Sequence, residues 1–165
     1  PDRQSLRIEI VIDEGIPHDI DQHAMRLAAA GAAALQGFDQ GEIGIRVTTD
    51  AAIQQINRDH LGHDYATDVI SFGYRAEPPF LEGELVVSVE TAGQRATEIG
   101  WPMASELTLY VVHGTLHITG MDDQSPSDRK QMRDAEITVM TRLGIDDVNE
   151  FGADAATSQR GCQHE

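Results

Sequence analysis

The sequence predicts one α+β domain: a small, mixed four-stranded sheet with about five helices, one of them buried. Three observations lead there. Short stretches that alternate polar and apolar residues, such as Arg7-Ile8-Glu9-Ile10, carry the two-residue period of half-buried strands. Longer stretches carry apolar residues three or four apart and are bounded by capping residues and glycines, which is the helical period. Only about ten residues separate the third strand from the fourth, too few for a crossover helix. Those two strands are therefore antiparallel neighbours or edge-related, and a purely parallel sheet is excluded.

In chain order, Leu6 to Ile12 is the first strand, broken by Gly15-Ile16-Pro17. An alanine-rich run from Asp19 to Gln36, with Ile20, Met25, Leu27 and Leu35, predicts an amphipathic helix capped by Asp19. Gly31 inside it reads as a close-packing position, and His18 and His23 as surface residues. Ile43 to Thr48 is the second strand, followed by a short helix that Asp50 caps and that runs to about Arg58. Val69 to Phe72 is the third strand and Leu85 to Val89 the fourth, with Pro78-Pro79 and Gly83 between them. Asp64 and Asp68, before the third strand, read as turn-forming carboxylates or as catalytic ones. Thr91 to Ile99 forms a helix stopped by Gly100, and Pro102 opens the next at its first turn. Ser125-Pro126-Ser127-Asp128 is a capping-box start for the last helix, whose buried stripe is Met132, Ile137, Met140 and Leu143, and Gly144 ends it. The domain is expected to span residues 1–145, with 146–165 a polar, flexible tail.

The helix after Pro102 carries the chemistry. Its apolar run from Leu107 to Val112 continues into His113-Gly114-Thr115-Leu116-His117, so both histidines belong to a largely buried helix. Four residues apart, they project from one face and are able to grip one ion. Gly120 can take the left-handed conformation that ends a helix and turns the chain back. Asp123 then brings a carboxylate as third ligand. Two imidazoles and a carboxylate suit Zn²⁺ or a related divalent metal with an open position, a catalytic rather than a structural donor set. His113, His117 and Asp123 are thus the expected metal ligands, and with Asp122 they are the candidate catalytic residues. Glu106, two turns before His113 on the same face, reads as a solvated charge, with an acceptor for a histidine N–H as the alternative. The spacing also overlays the H-E-x-x-H-x-x-G-x-x-H pattern of metzincin proteases. Gly114 stands at the place of their general-base glutamate, and glycine has no side chain to accept a proton. That argues against proteolysis.

The stretch His113 to Asp123 resembles the H-G-x-L-H-L-x-G-Y-D-H signature of the bacterial YbeY family of metal-dependent endoribonucleases, which act in ribosomal RNA maturation. His113, Gly114, Leu116, His117, Gly120 and Asp122 match it, Ile118 and Met121 are conservative changes, and Asp123 replaces the third histidine. Asp64 to Phe72 is similar to the family's D-x-P-T-D-V-L-S-F, with Ala66 for proline, and Glu82 to Val87 to its L-G-D-I-V-I segment. The likeness runs in order from about Leu6 to Ile145. It implies the same α+β arrangement, cleavage of single-stranded RNA in ribosomal RNA processing and ribosome maturation, and a ribosomal partner. The family also carries an arginine in the segment before the T-D-V block, implied to contact RNA or assist its cleavage. Here His60-Leu61-Gly62-His63-Asp64 puts Leu61 in its place, and leucine can neither pair with a phosphate nor stabilise developing charge. Arg58, His60 and His63 are the candidate RNA contacts that remain nearby.

Composition bounds these readings. A chain of 165 residues with 40% hydrophobic residues is long enough to bury a core without disulfides. Its single cysteine, Cys162, cannot form an internal disulfide and is compatible with a reducing cytoplasm, the expected compartment. No apolar run has the length of a membrane span, so a membrane role is not expected. The net charge of −16 sits awkwardly with an RNA substrate, because only Lys130 and eleven arginines are present. Residues 144–165 account for a net −4 of it, so the acidity belongs mostly to the body. Two alternatives to the ribonuclease follow: a maturation factor that binds without cutting and keeps a structural metal, and a metzincin-like protease.

Overall fold

Strands β1 (Arg7–Ile12), β2 (Gln40–Thr48), β3 (Val69–Glu77) and β4 (Phe80–Ser88) build the predicted mixed sheet, in the order β1-β2-β4-β3. β1, β2 and β4 run parallel, and β3 is antiparallel to β4, closing the hairpin that the short connection requires. Five helices surround it: α1 (Gln22–Leu35), α2 (Asp50–Leu61), α3 (Val89–Ile99), α4 (Met103–Ile118) and α5 (Pro126–Arg142). The computed structural model describes residues 5–16, 20–62 and 68–145, together with the backbone of a short strand, β5 (Cys162–His164), parallel to the outer edge of β3. That fifth strand has no signal in the sequence. The rest of the expected tail lies outside the described residues.

The caps show how local chemistry places these elements. Asp21 caps α1, its carboxylate accepting from the Ala24 amide at 3.0 Å; Asp19 lies outside the described residues. Thr49, not Asp50, caps α2 by accepting from the Ala52 amide at 3.2 Å. Asp50 falls in the first turn, where its carboxylate accepts from Thr91 Oγ1 at 2.6 Å and from Ser88 Oγ. It therefore ties α2 to the start of α3. Ser125 caps α5 as predicted, accepting from the Asp128 amide at 3.0 Å. β2 starts three residues before its expected position because Gly41 interrupts the alternation. A Cβ there would come within 2.0 Å of the Leu81 carbonyl oxygen, and its φ of +111° suits glycine.

The two faces of the sheet are covered unequally. Val69, Leu85 and Val87 point into the main core with α1, α3, α4 and α5, whereas the alternating Ile70 and Val86 pack with Ile53 of α2 on the other face. α4 is the centre of the main core: every residue from Glu106 to Ile118 is buried. It can approach the sheet closely because of glycine. A Cβ on Gly114 would meet Leu85 Cδ2 at 2.6 Å and Val69 Cγ2 at 3.1 Å, and one on Gly83 would meet Ile118 at 2.8 Å. Gly31 is the close-packing position the sequence suggested, with Val139 Cγ1 of α5 3.3 Å from its would-be Cβ.

Candidate metal centre

The last turn of α4 builds the site. Thr119 ends the helix, and Gly120 takes φ +107°. The Gly120 amide donates to the His117 carbonyl at 3.0 Å and the Met121 amide to the Leu116 carbonyl at 3.1 Å. These two bonds form a Schellman motif, which satisfies carbonyls at the helix end and reverses the chain. The reversal lays the Met121 carbonyl against His117, whose Nδ1 hydrogen-bonds to it at 3.0 Å. Two residues on, Asp123 reaches back over the helix end.

His113, His117 and Asp123 form the one His/Cys/Asp/Glu cluster of metal-binding size found among the described residues, as the sequence predicted. The two imidazoles meet edge to face, centroids 4.7 Å apart. Asp123 Oδ2 lies 3.6 Å from His113 Nε2 and 3.4 Å from His117 Nε2. Those separations exceed a normal N–H···O hydrogen bond of 2.7–3.2 Å. They match the edge of about 3.3 Å between ligand atoms held at about 2.0–2.1 Å in a tetrahedral zinc shell. His113 Nε2 is buried with no hydrogen-bond partner, which is costly unless an ion takes that place. The residues present therefore fit a divalent cation. Both histidines are almost fully buried, while the Asp123 side chain is 25% exposed, so the site opens to solvent on the aspartate's side.

The other predicted residues separate. Asp122 is exposed, and its Oδ1 accepts from the Asp123 amide at 2.8 Å, a turn-holding contact beside the cluster. Asp68 is fully buried, pairing with Arg95 Nη1 at 3.2 Å and accepting from the Val69 amide. Glu106 is not a solvated charge. It is fully buried and accepts from Trp101 Nε1 at 3.0 Å. The sequence missed this because the chain reverses at Gly100 and folds the indole onto the start of α4. Arg58 and His60 lie on α2, across the sheet from α4. Arg58 Nη2 donates to Gln55 Oε1, and His60 stands edge-on to Phe72 at 6.1 Å in a groove that Arg46, Ile56 and Val86 also line. His63 and Asp64 lie outside the described residues, as does the side chain of Leu61. The residue that sequence reasoning overlooked is Glu136 of α5, whose Oε2 faces His113 Nδ1 in a short hydrogen bond. A charged residue at a position flanked by Ala135, Ile137 and Val139 was the available signal.

The family described as Endoribonuclease YbeY matches residues 11–144. The chain belongs to that family. An Endoribonuclease YbeY of Rhodopirellula baltica is 48% identical over 153 residues, 86% of this chain and 79% of that protein. One of Bacillus licheniformis is 30% identical over 154 residues, 86% of this chain and 97% of its own length. A solution structure of a Thermotoga maritima protein superposes with a TM-score of 0.56 over 84% of this chain and 91% of that one, at 19% identity, which supports the fold. His113, His117 and Asp123 all fall within the matched region. Among the described residues, no helix is long and apolar enough to cross a membrane.

Proposed function

We propose that the protein is a metal-dependent endoribonuclease that cuts single-stranded RNA during ribosomal RNA processing and ribosome maturation in the cytoplasm, with Zn²⁺ or a related divalent metal as its cofactor. The observation that carries this reading is the convergence of His113 Nε2, His117 Nε2 and Asp123 Oδ2 at ligand spacing in a chain of this family. When bound, the cation would supply Lewis acidity to a phosphodiester oxygen and lower the pKa of water. The protein's part is to hold and orient. His117 is fixed by the Met121 carbonyl, and Asp123 by a turn that the Asp122 carboxylate braces through the Asp123 amide. In this proposal Asp122 acts on the reaction by positioning its neighbour. Gly114 contributes no base: its would-be side chain points at Leu85 and Val69. At this position the glutamate mechanism of peptide cleavage therefore lacks its base. RNA is proposed to contact Arg58 and His60 at the end of α2 and His63 just beyond it, with ribosomal components as the setting.

The test uses the purified protein with measured metal content, offered single-stranded RNA and, separately, an unstructured polypeptide, beside a His117→Ala control. The expected outcome is metal-dependent RNA cleavage that the control loses by at least about 100-fold. Bound metal with no RNA cleavage would favour a binding factor, and peptide cleavage a protease; either result overturns the proposal.

A further inference from the structure

We infer that Glu136 is the positioning residue of the metal centre, the group that determines how tightly His113 can hold a divalent cation. The inference rests on the metal-binding half of the proposed function and not on the RNA half. Three observations carry it. Glu136 is 2% exposed on a face of α5 otherwise built from Met132, Ala135, Val139 and Met140. A carboxylate removed from water in such surroundings costs several kcal/mol unless charge or hydrogen bonding compensates it. Its Oε2 meets Nδ1 of His113, and the opposite ring nitrogen is the buried Nε2 that faces Asp123. A carboxylate accepting from Nδ1–H keeps the hydrogen on that nitrogen. It leaves the Nε2 lone pair directed at the ion site and makes that nitrogen a stronger donor.

The third observation is the contrast with His117. Its Nδ1 is held by a neutral backbone carbonyl, that of Met121. The two histidines are thus oriented by different devices, and only one of the two brings charge. The Asp123 and Glu136 carboxylates each bring a negative charge to the two imidazoles, which favours a divalent cation between them. Losing the Glu136 charge removes one of those two favourable terms. Gln in its place keeps an acceptor for Nδ1–H but not the charge, and Ala keeps neither, so the two effects separate.

The experiment uses the full-length protein, stripped of metal, with Zn²⁺ affinity measured by competition against a chromophoric chelator. The visible spectrum of the Co²⁺-loaded form is recorded in parallel. Glu136→Gln is expected to weaken Zn²⁺ binding about 10-fold and Glu136→Ala up to about 100-fold, both with altered Co²⁺ bands. Urea unfolding of the metal-free forms should show Glu136→Gln at least as stable as the wild type, because a buried charge is gone. A purely structural role for Glu136 would give the reverse: a less stable metal-free variant whose folded fraction keeps wild-type affinity and an unchanged Co²⁺ spectrum. Affinities within twofold of wild type in the variants that fold overturn the inference, and Glu136→Gln decides if Glu136→Ala does not fold. A wild type that binds no Zn²⁺ overturns the metal reading itself, whereas an inert nuclease that still shows the affinity series leaves the role of Glu136 standing.

Discussion

The two faces of the sheet are built to opposite specifications. On the α4 face, a helix buried on all sides sits so close to β3 and β4 that Gly114 and Gly83 have no room for a side chain. On the α2 face, a small cluster of Ile53, Ile70 and Val86 is the buried apolar core among the described residues, and beyond it Glu9, Glu42, Glu82 and Glu84 line a hollow of about 290 Å³ with Tyr74. The close-packed face gives precision: His113 and His117 ride on a helix that has nowhere to shift, which is what a metal site needs from its scaffold. On the open face four carboxylates gather around that hollow. An RNA strand that contacts Arg58 and His60 runs beside that hollow, because Tyr74 and Glu84 line both it and the His60 groove, so Arg46 and Arg58 have to offset its glutamates.

The sharpest way to break this contrast is to give Gly114 the glutamate that a metzincin carries there. A charged side chain would be driven between Leu85 and Val69, costing about 4 kcal/mol or more. The variant should therefore fail to fold, as read by circular dichroism, rather than gain peptidase activity. A folded Gly114→Glu that hydrolyses peptide would show that the position faces the ion and not the sheet. The milder Gly114→Ala tests the same packing. Helix propensity favours alanine by about 1 kcal/mol, while overpacking costs about 1–3 kcal/mol, so the net change is destabilising.

That glycine also marks where the sequence was legible and where it was not. The ligand trio could be read because each of its determinants is local: an i,i+4 pair on a helix, a glycine that stops it, and an aspartate three residues later. His117 belongs wholly to this local logic, since its orienting partner, Met121, is four residues away. His113 does not. Glu136 is 23 residues distant on another helix, and only the packing of α5 onto α4 brings it there. Gly114 was correctly read as lacking a base, but its reason for being glycine is tertiary, set by Leu85 and Val69. Strand cores and the antiparallel β3–β4 hairpin were visible through alternation and loop length. The outer half of β3, Gly73 to Glu77, was not, because it is exposed and carries no apolar period. Glu106 misled for the same reason in reverse: nothing in a sequence says that a helix-start charge will be buried under a tryptophan.

A smaller effect should appear on the open face, where Arg46 of β2 grips Asp13 through Nε at 2.9 Å and Nη2 at 2.8 Å, and Thr48 Oγ1 adds a third bond at 2.5 Å. The Arg46 hydrogen bonds hold the Asp13 carboxyl below its ordinary value of 3.8. A depressed carboxylate pKa contributes stability above the unfolded value and loses it as pH falls through the folded one. Because both side chains are partly solvated, the contribution is at most about 1 kcal/mol. Asp13→Asn should therefore lower the urea midpoint at neutral pH, and the gap to wild type should close as the pH falls from 3.8 through the depressed Asp13 value. A gap that persists unchanged in acid would assign the loss to packing instead.

The smallest expected effect has the opposite sign, and that is its use. Gly44 of β2 lies on the open face, where a Cβ would sit 3.5 Å from Glu84 Cγ, an ordinary contact. Glycine in a strand interior loses more backbone freedom on folding than alanine does, by roughly 0.5–1 kcal/mol. Gly44→Ala should thus raise stability by about 0.5 kcal/mol in the same urea titration that shows Gly114→Ala lowering it. One chemical change, the addition of a methyl group, would then stabilise one face of the sheet and destabilise the other. Two losses of similar size would mean that the open face is packed as tightly as the face that carries the histidines, and the division of labour between them would fail.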